Sequence, residues 1–136
     1  MSAFFSGVTD EQLREVKLLK GLDDAALEKL KECAHFIGAH PGLHIVRNED
    51  TGFELYIVLS GTANVVRDGQ VIATLGKGDL FGEMALLGNT NRNADVVATS
   101  VMSLLSMTKS EFNRLVADHP EVERRVRNLA EERQHS

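Results

Sequence analysis

The chain has 136 residues, enough for one compact domain with its own hydrophobic core and too few for two. Its formal net charge of −5 excludes a general nucleic-acid binder, because affinity for a phosphate backbone comes from a cationic surface. A single cysteine, Cys33, excludes an intramolecular disulfide framework. No apolar run approaches the roughly 20 residues of a membrane helix, and the first eight residues do not resemble a signal peptide, so we expect a soluble cytoplasmic protein.

The first predicted elements are two helices within residues 9–34. Thr9 begins a capping box, and apolar residues at helical spacing continue the pattern to residue 20, where Gly21 ends the helix. Asp23 is the expected N-cap of the second helix. Cys33 falls on the apolar stripe of that helix, near Phe36, so we expect it to be buried and unreactive.

The pattern then changes to short β-rich runs. They cover residues 44–47, 54–59, 62–66, 71–75, 95–100 and 101–107, with glycine-containing turns between most of them. Asp68-Gly69 predicts a type I′ hairpin. Residues 35–107 therefore form a β-roll, and we expect a mainly β fold with flanking helices, a double-stranded β-helix or jelly-roll barrel. The predicted core positions include Val71, Leu75, Val97 and Leu105.

Helices return at residues 108–134. Thr108 begins a second capping box for a helix that reaches Val116, and Pro120 starts a last helix that runs to about Arg133. Arg124, Arg125 and Arg127 alternate with glutamates in this last helix, which predicts a solvated face. The N-terminal helices, the β-roll and these C-terminal helices together form one predicted domain, 1–136.

The segment 81–94 has the residues that a phosphorylated ligand requires. Gly82 lacks a Cβ and permits close approach of the backbone, and residues 83–87 read as one helical turn with unpaired N–H groups at its start. An anion is favoured there, and Arg92 could add a permanently charged fork. Glu83 would be repelled by a phosphate, so a sugar hydroxyl is its natural partner. Phosphate, sugar and an apolar recess together indicate a nucleotide.

The order of these motifs resembles the cyclic nucleotide-binding domain family, from roughly residue 18 to residue 133. The resemblance runs through Pro41-Gly42, Asp50-Thr51-Gly52, Ser60-Gly61 and a phosphate-binding cassette at 81–94. It implies a contact from Glu83 to the ribose 2′-hydroxyl and from Arg92 to the cyclic phosphate. The further donors that it implies are the backbone N–H groups of Gly82, Glu83, Met84 and Ala85.

Two asparagines depart from the family pattern. Asn93 stands where serine or threonine is usual, which favours cAMP over cGMP as the ligand, and Asn91 replaces the usual proline before the arginine. In the last helix, which is expected to act as a C-terminal lid, Arg133 is the candidate to stack on the purine. A frayed, exposed terminal arginine is the alternative for Arg133.

These residues predict a non-catalytic sensor of cAMP, or of cGMP, that passes a helix rearrangement to an effector protein or fused domain. No nucleophile–base pair or metal cluster is evident, and His35, His40 and His44 lack the spacing of a zinc site, so no cofactor, no metal and no catalysis are expected. One alternative is a degenerate, nucleotide-free interaction module of the same fold. The other is a metal-dependent jelly-roll enzyme. The helix at 9–20 could dock a partner or a second copy in a homodimer.

Overall fold

The structure, a computed structural model, describes residues 9–47, 54–82 and 94–134, with side chains described to residue 129. The helices are α1 Asp10–Arg14, α2 Asp24–Cys33, α3 Lys109–Asp118 and α4 Glu121–Gln134. The strands are β1 His35–Ala39, β2 His44–Val46, β3 Glu54–Ser60, β4 Ala63–Arg67, β5 Gln70–Leu75, β6 Leu80–Phe81, β7 Asp95–Ala98 and β8 Met102–Thr108.

The strands form two four-stranded antiparallel sheets. The first sheet has the order β1-β8-β3-β6 and the second the order β2-β7-β4-β5. Apart from the hairpin of β4 and β5, which stays in the second sheet, successive strands pass from one sheet to the other, as in a jelly roll, with helices at both ends of the chain. The mainly β jelly-roll prediction with flanking helices is confirmed.

Two hydrophobic cores lie on opposite faces of the first sheet. Along β3, Leu55 and Ile57 point toward the helices, whereas Tyr56 and Val58 point between the sheets, because successive strand residues alternate faces. The helix-side core consists of Leu13, Val16, Leu18, Leu19, Leu22, Ala26, Leu27, Leu30, Cys33, Ala34, Leu55, Ile57, Leu80, Leu105, Met107, Phe112, Leu115, Val122 and Val126. The interior core consists of Ala39, Val46, Tyr56, Val58, Ala63, Leu75, Phe81, Val96, Ala98, Met102 and Leu104.

The first predicted helix is shorter than expected. The Thr9 capping box forms, but α1 ends at Arg14 instead of residue 20. Val16, Leu18 and Leu19 are all buried, and residues two apart in an α-helix do not share a face. The chain therefore continues in turns, with the N–H of Val16 donating to the carbonyl of Leu13 at 3.1 Å and the N–H of Leu19 to Val16 at 2.9 Å.

Several local predictions are confirmed. The Asp23 carboxylate accepts from the N–H of Ala26 and caps α2, and Thr108 forms the second capping box. Asp68 and Gly69 both have positive φ, 53° and 77°, which is the conformation of a type I′ hairpin. Cys33 is buried. These features depend on residues within a few positions of each other, so the sequence is sufficient to predict them.

Other predictions were wrong because they depend on the whole sheet. The helical stripe that included Phe36 stops at Cys33, and Phe36 lies in β1, which was not predicted as a strand. Val71 was predicted to be core but is 55% exposed. It lies on β5, which is an edge strand of the second sheet and, among the described strands, pairs with β4 alone.

Within the part of the chain that the structure describes, no helix is both long enough and apolar enough to cross a membrane.

Candidate functional site

The predicted cassette begins at a sharply turned backbone. β6 ends at Phe81, and Gly82 follows with φ +81°, in the left-handed region that side chains disfavour. A hydrogen-bonded turn leads into β6, since the Asp79 carboxylate accepts from the N–H of Gly76 at 2.8 Å. The N–H of Val58 on β3 donates to the carbonyl of Asp79, also at 2.8 Å, and ties this turn to the sheet. The approach to the cassette is therefore held by both local and cross-strand contacts.

Most of the predicted contacts lie outside the described residues. Of the predicted site residues, Gly82 alone is fully described, and the segment 83–93 is not. This undescribed segment contains four residues with predicted ligand contacts, Glu83, Met84, Ala85 and Arg92. It also contains the two departures from the family pattern, Asn91 and Asn93. Arg133 lies within α4, but its side chain is not described.

The two ends of the cassette belong to different sheets. β6 pairs with β3 in the first sheet, and β7, which starts one residue after Ala94, pairs with β2 and β4 in the second. The cassette therefore connects the two sheets.

An aromatic pair lies at the first of these ends. The rings of Tyr56 and Phe81 are stacked, with centroids 4.9 Å apart and planes 15° apart, and their backbones are register partners on β3 and β6. Both side chains are buried in the interior core. Offset stacking of this kind contributes about 0.5–1.5 kcal/mol beyond burial, and here it fixes the residue that precedes Gly82.

A histidine–carboxylate contact lies at the second end. Nδ1 of His44 on β2 lies 2.8 Å from Oδ2 of Asp95, the first residue of β7. In the sequence, His44 stands out only as a residue whose spacing does not suit a zinc site, so this pair was missed. No local pattern could have found it, because the two residues are 51 positions apart.

The last helix packs on the N-terminal segment. Val122 and Val126 are buried in the helix-side core, and Nη1 of Arg125 donates to the carbonyls of Leu18, at 2.9 Å, and Lys20. The prediction of a solvated face is therefore wrong for Arg125, although Arg124 and Arg127 are exposed. The carbonyls at the end of a helical turn lack intrahelical partners, and a cationic donor satisfies them.

A groove of about 290 Å³ lies beside this contact, between the N-terminal segment and α4. Its lining residues are Lys17, Leu18, Lys20, Arg125, Asn128 and Leu129. None of them belongs to the roll.

Glu111 and Lys31, both in the helical layer, have shifted pKa values. Burial raises the pKa of Glu111, but hydrogen bonds from the Thr108 backbone and from His35 outweigh it and leave the pKa below its ordinary value. Hydrogen bonds to Asp10 and Glu28 raise the pKa of Lys31. Among the described residues, no group of three histidine, cysteine or acidic side chains could hold a metal ion.

The comparison with known families decides the class of protein. The family model for the cyclic nucleotide-binding domain matches residues 39–119, which include both ends of the cassette and most of the roll. The chain belongs to the cyclic nucleotide-binding domain family. The sequence-based recognition is thereby confirmed, and with it the expectation of a regulatory, nucleotide-binding domain.

The relatives of this cyclic nucleotide-binding domain are regulatory proteins. The chain is 37% identical over 107 residues to the cAMP-dependent protein kinase regulatory subunit of Schizosaccharomyces pombe, with 78% of this chain and 26% of the relative covered. A second such subunit, from Yarrowia lipolytica, is 36% identical over 115 residues, and 31% of it is covered. The chain thus spans about a quarter to a third of the length of these curated relatives. It is a domain of the kind that these regulatory subunits contain.

Solved structures show the same fold. The catabolite activator protein of Thermus thermophilus superimposes with a TM-score of 0.78 at 30% identity, over 87% of this chain and 58% of that one. The regulatory subunit of a cAMP-independent protein kinase A from Trypanosoma brucei superimposes with a TM-score of 0.73, also at 30% identity, over 85% of this chain and 44% of that one. One protein with this fold is therefore the regulatory subunit of a kinase that is described as cAMP-independent.

Proposed function

We propose that this chain is a non-catalytic cAMP sensor that forms a single domain, 1–136, and transmits a helix rearrangement to an effector protein or fused domain. The observation that carries the proposal is the glycine–glutamate–arginine cassette of 81–94, which connects the two sheets of a roll in a chain of this family. The cAMP-dependent kinase regulatory subunits among its relatives support cAMP as the ligand.

In this proposal each cassette residue has a defined role. The Arg92 guanidinium binds the cyclic phosphate, and Glu83 accepts a hydrogen bond from the ribose 2′-hydroxyl. The backbone N–H groups of Gly82, Glu83, Met84 and Ala85 complete the phosphate site, an arrangement that favours an anion. Asn93 takes the position after the arginine and favours cAMP over cGMP.

Transmission is proposed to proceed through the last helix. α4 is bonded to the N-terminal segment by Arg125, so movement of α4 would also move that segment. Stacking of Arg133 on the purine would make the position of α4 depend on the ligand. A ligand shifts such an equilibrium only by its differential affinity for the two arrangements, so this stacking contact has to be stronger in one of them.

The decisive experiment is calorimetric titration of nucleotide-free protein with cAMP and then with cGMP, in the wild type and in Arg92→Ala. A charged bidentate contact contributes about 1.5–3 kcal/mol. We therefore expect one-site binding of cAMP that weakens by about ten- to a hundredfold in Arg92→Ala. Arg124→Ala, an exposed arginine on α4, is the matched control and should bind as the wild type does. Equal cAMP affinity in the wild type and Arg92→Ala would remove the proposed role of Arg92.

A second candidate function has specific support. The Trypanosoma brucei relative is described as cAMP-independent, and Asn91 and Asn93 depart from the family pattern in this chain. A nucleotide-free interaction module is therefore the alternative. If calorimetric titrations with cAMP and cGMP show no heat of binding at two temperatures, on protein that is folded by circular dichroism, the interaction module is favoured over the sensor.

Transmission is tested by hydrogen exchange of the α4 amides with and without saturating cAMP. We expect exchange in residues 121–134 to change on binding in the wild type, and to change less in Arg133→Ala. If hydrogen exchange in α4 does not change when cAMP saturates the protein, the protein binds cAMP without a response of this helix.

A further inference from the structure

The His44–Asp95 hydrogen bond joins two strands at the exit of the cassette. Its two atoms, Nδ1 of His44 and Oδ2 of Asp95, are 2.8 Å apart, and the two side chains are 36% and 25% exposed. Both are therefore partly shielded from water, and the interaction between them is less screened than that of a fully exposed pair. The contact links β2 to the first residue of β7.

The backbone pairing at this place is irregular. His44 is the register partner of Val97 and Val46 that of Val96, with a register shift between them. On its other side, Asp95 is the register partner of Val66 on β4, so its main chain is held there. A register shift disrupts the ladder locally and redirects side chains. The side-chain contact of His44 thus adds a link between β2 and the start of β7 where the ladder is interrupted.

Asp95 does not point into the roll. Val96 and Ala98 are buried in the interior core, and alternation along β7 places Asp95 on the opposite, outer face. A ligand in the roll is therefore not a direct partner of the Asp95 carboxylate. Any effect of this side-chain pair on a ligand has to act through the backbone of β7 and the residues that precede it.

Arg92 precedes Asp95 by three residues, a span of at most about 11 Å when fully extended. We propose that the His44–Asp95 pair is a positioning pair: it fixes the exit of the cassette and thereby holds Arg92 where it meets the phosphate of the nucleotide. This inference rests on the proposed function. Contacts that hold a binding group in its bound position raise affinity, because less ordering is left to be done on binding.

The chain offers a matched control in a second histidine–carboxylate pair. Nε2 of His35 on β1 lies 2.5 Å from a carboxylate oxygen of Glu111 on α3. This pair joins the first sheet to the helical layer and adjoins neither end of the cassette. Removal of each histidine is the same chemical change, made once at the cassette exit and once away from it.

The experiment measures cAMP affinity by calorimetry and thermal unfolding without nucleotide in the wild type, His44→Ala and His35→Ala. Loss of one hydrogen-bonded contact predicts a weakening of cAMP binding by about three- to tenfold in His44→Ala. His35→Ala should keep its affinity within about twofold. The variant pair His44→Asn and His44→Gln adds a geometric test, because the asparagine amide nitrogen takes the place of Nδ1, whereas that of glutamine reaches the place of Nε2. We expect His44→Asn to restore affinity and His44→Gln not to restore it.

The outcomes separate this inference from the function on which it rests. No binding of cAMP by the folded wild type overturns both. Binding by the wild type with the same affinity in His44→Ala overturns the positioning pair alone. Equal losses of affinity in His44→Ala and His35→Ala also overturn it, because they would show a general effect of destabilisation. A double variant, His44→Ala with Asp95→Ala, that binds no more weakly than either single variant supports it.

Discussion

The helix-side core and the interior core use the same sheet but different side chains. The helix-side core consists mostly of leucines and other large aliphatic residues from all four helices, packed on the outer face of the first sheet. The interior core contains three alanines, Ala39, Ala63 and Ala98, and the stacked rings of Tyr56 and Phe81 next to the cassette. Large side chains bury more apolar area, so we infer that the helix-side core supplies most of the stability. The interior core includes Phe81, the residue at which the described chain enters the cassette.

The largest expected effect comes from truncation in the helix-side core. Leu30 is 1% exposed, and Leu30→Ala removes buried methyl groups and leaves a cavity, which should lower the free energy of unfolding by about 2–5 kcal/mol. Ile72→Ala, on the exposed edge strand, should change it by less than about 0.5 kcal/mol. Urea unfolding of both variants measures this difference. Similar losses in the two variants would contradict the assignment of stability to this core.

Arg125 tests whether polar contacts add to the helix-side core. Arg125→Ala leaves the carbonyls of Leu18 and Lys20 without their cationic donor, and we expect a loss of about 1–2 kcal/mol, since the side chain is half-buried. Arg124→Ala, on the exposed face of the same helix, controls for helix propensity. Urea unfolding distinguishes them, and hydrogen exchange of α4 should rise in Arg125→Ala alone.

A substitution in the interior core sharpens the comparison. Phe81→Leu removes the ring stack with Tyr56 and should lower the free energy of unfolding by about 1 kcal/mol. Because Phe81 precedes Gly82, we expect cAMP affinity to fall by several-fold as well. Phe112→Leu, in the helix-side core, should reduce stability and leave affinity unchanged. Thermal unfolding measures the stability of both variants, and calorimetry measures their affinity for cAMP. Equal cAMP affinities in the two variants would contradict a separate role for the interior core.

The smallest effect concerns pH and the helical layer. The pKa of Glu111 is lowered in the folded protein, so its contribution to stability is present above the unfolded-state pKa near 4.5 and is lost as the pH falls through the lower folded-state value. Between pH 7 and pH 3, the wild type should therefore lose more stability than Glu111→Gln, by less than about 1 kcal/mol. Glu11→Gln, exposed on α1, is the control. Urea unfolding across this pH range checks the sign, and a steeper loss in Glu111→Gln would reverse it.

The local features of this chain were predictable from its sequence because they depend on neighbouring residues. The capping residues Thr9, Asp23 and Thr108 bond to backbone N–H groups three residues ahead. The Asp68-Gly69 hairpin depends on two backbone conformations. The cassette motif of 81–94 identified the family, and the family match confirms that identification. The ligand contacts assigned to Glu83, Arg92 and Arg133 stay predictions.

Long-range geometry was decided only in the tertiary structure. Val71 and Leu75 belong to the same β-rich run and to the same edge strand, yet Val71 is exposed near one end, whereas Leu75 is buried at the other end, where it pairs with the buried Ala63. The His44–Asp95 pair and the contact of Arg125 with the N-terminal segment join residues 51 and more than 100 positions apart. Periodicity reports the environment of a residue along its own helix or strand. It carries no information on which distant side chain or carbonyl the fold brings to that place.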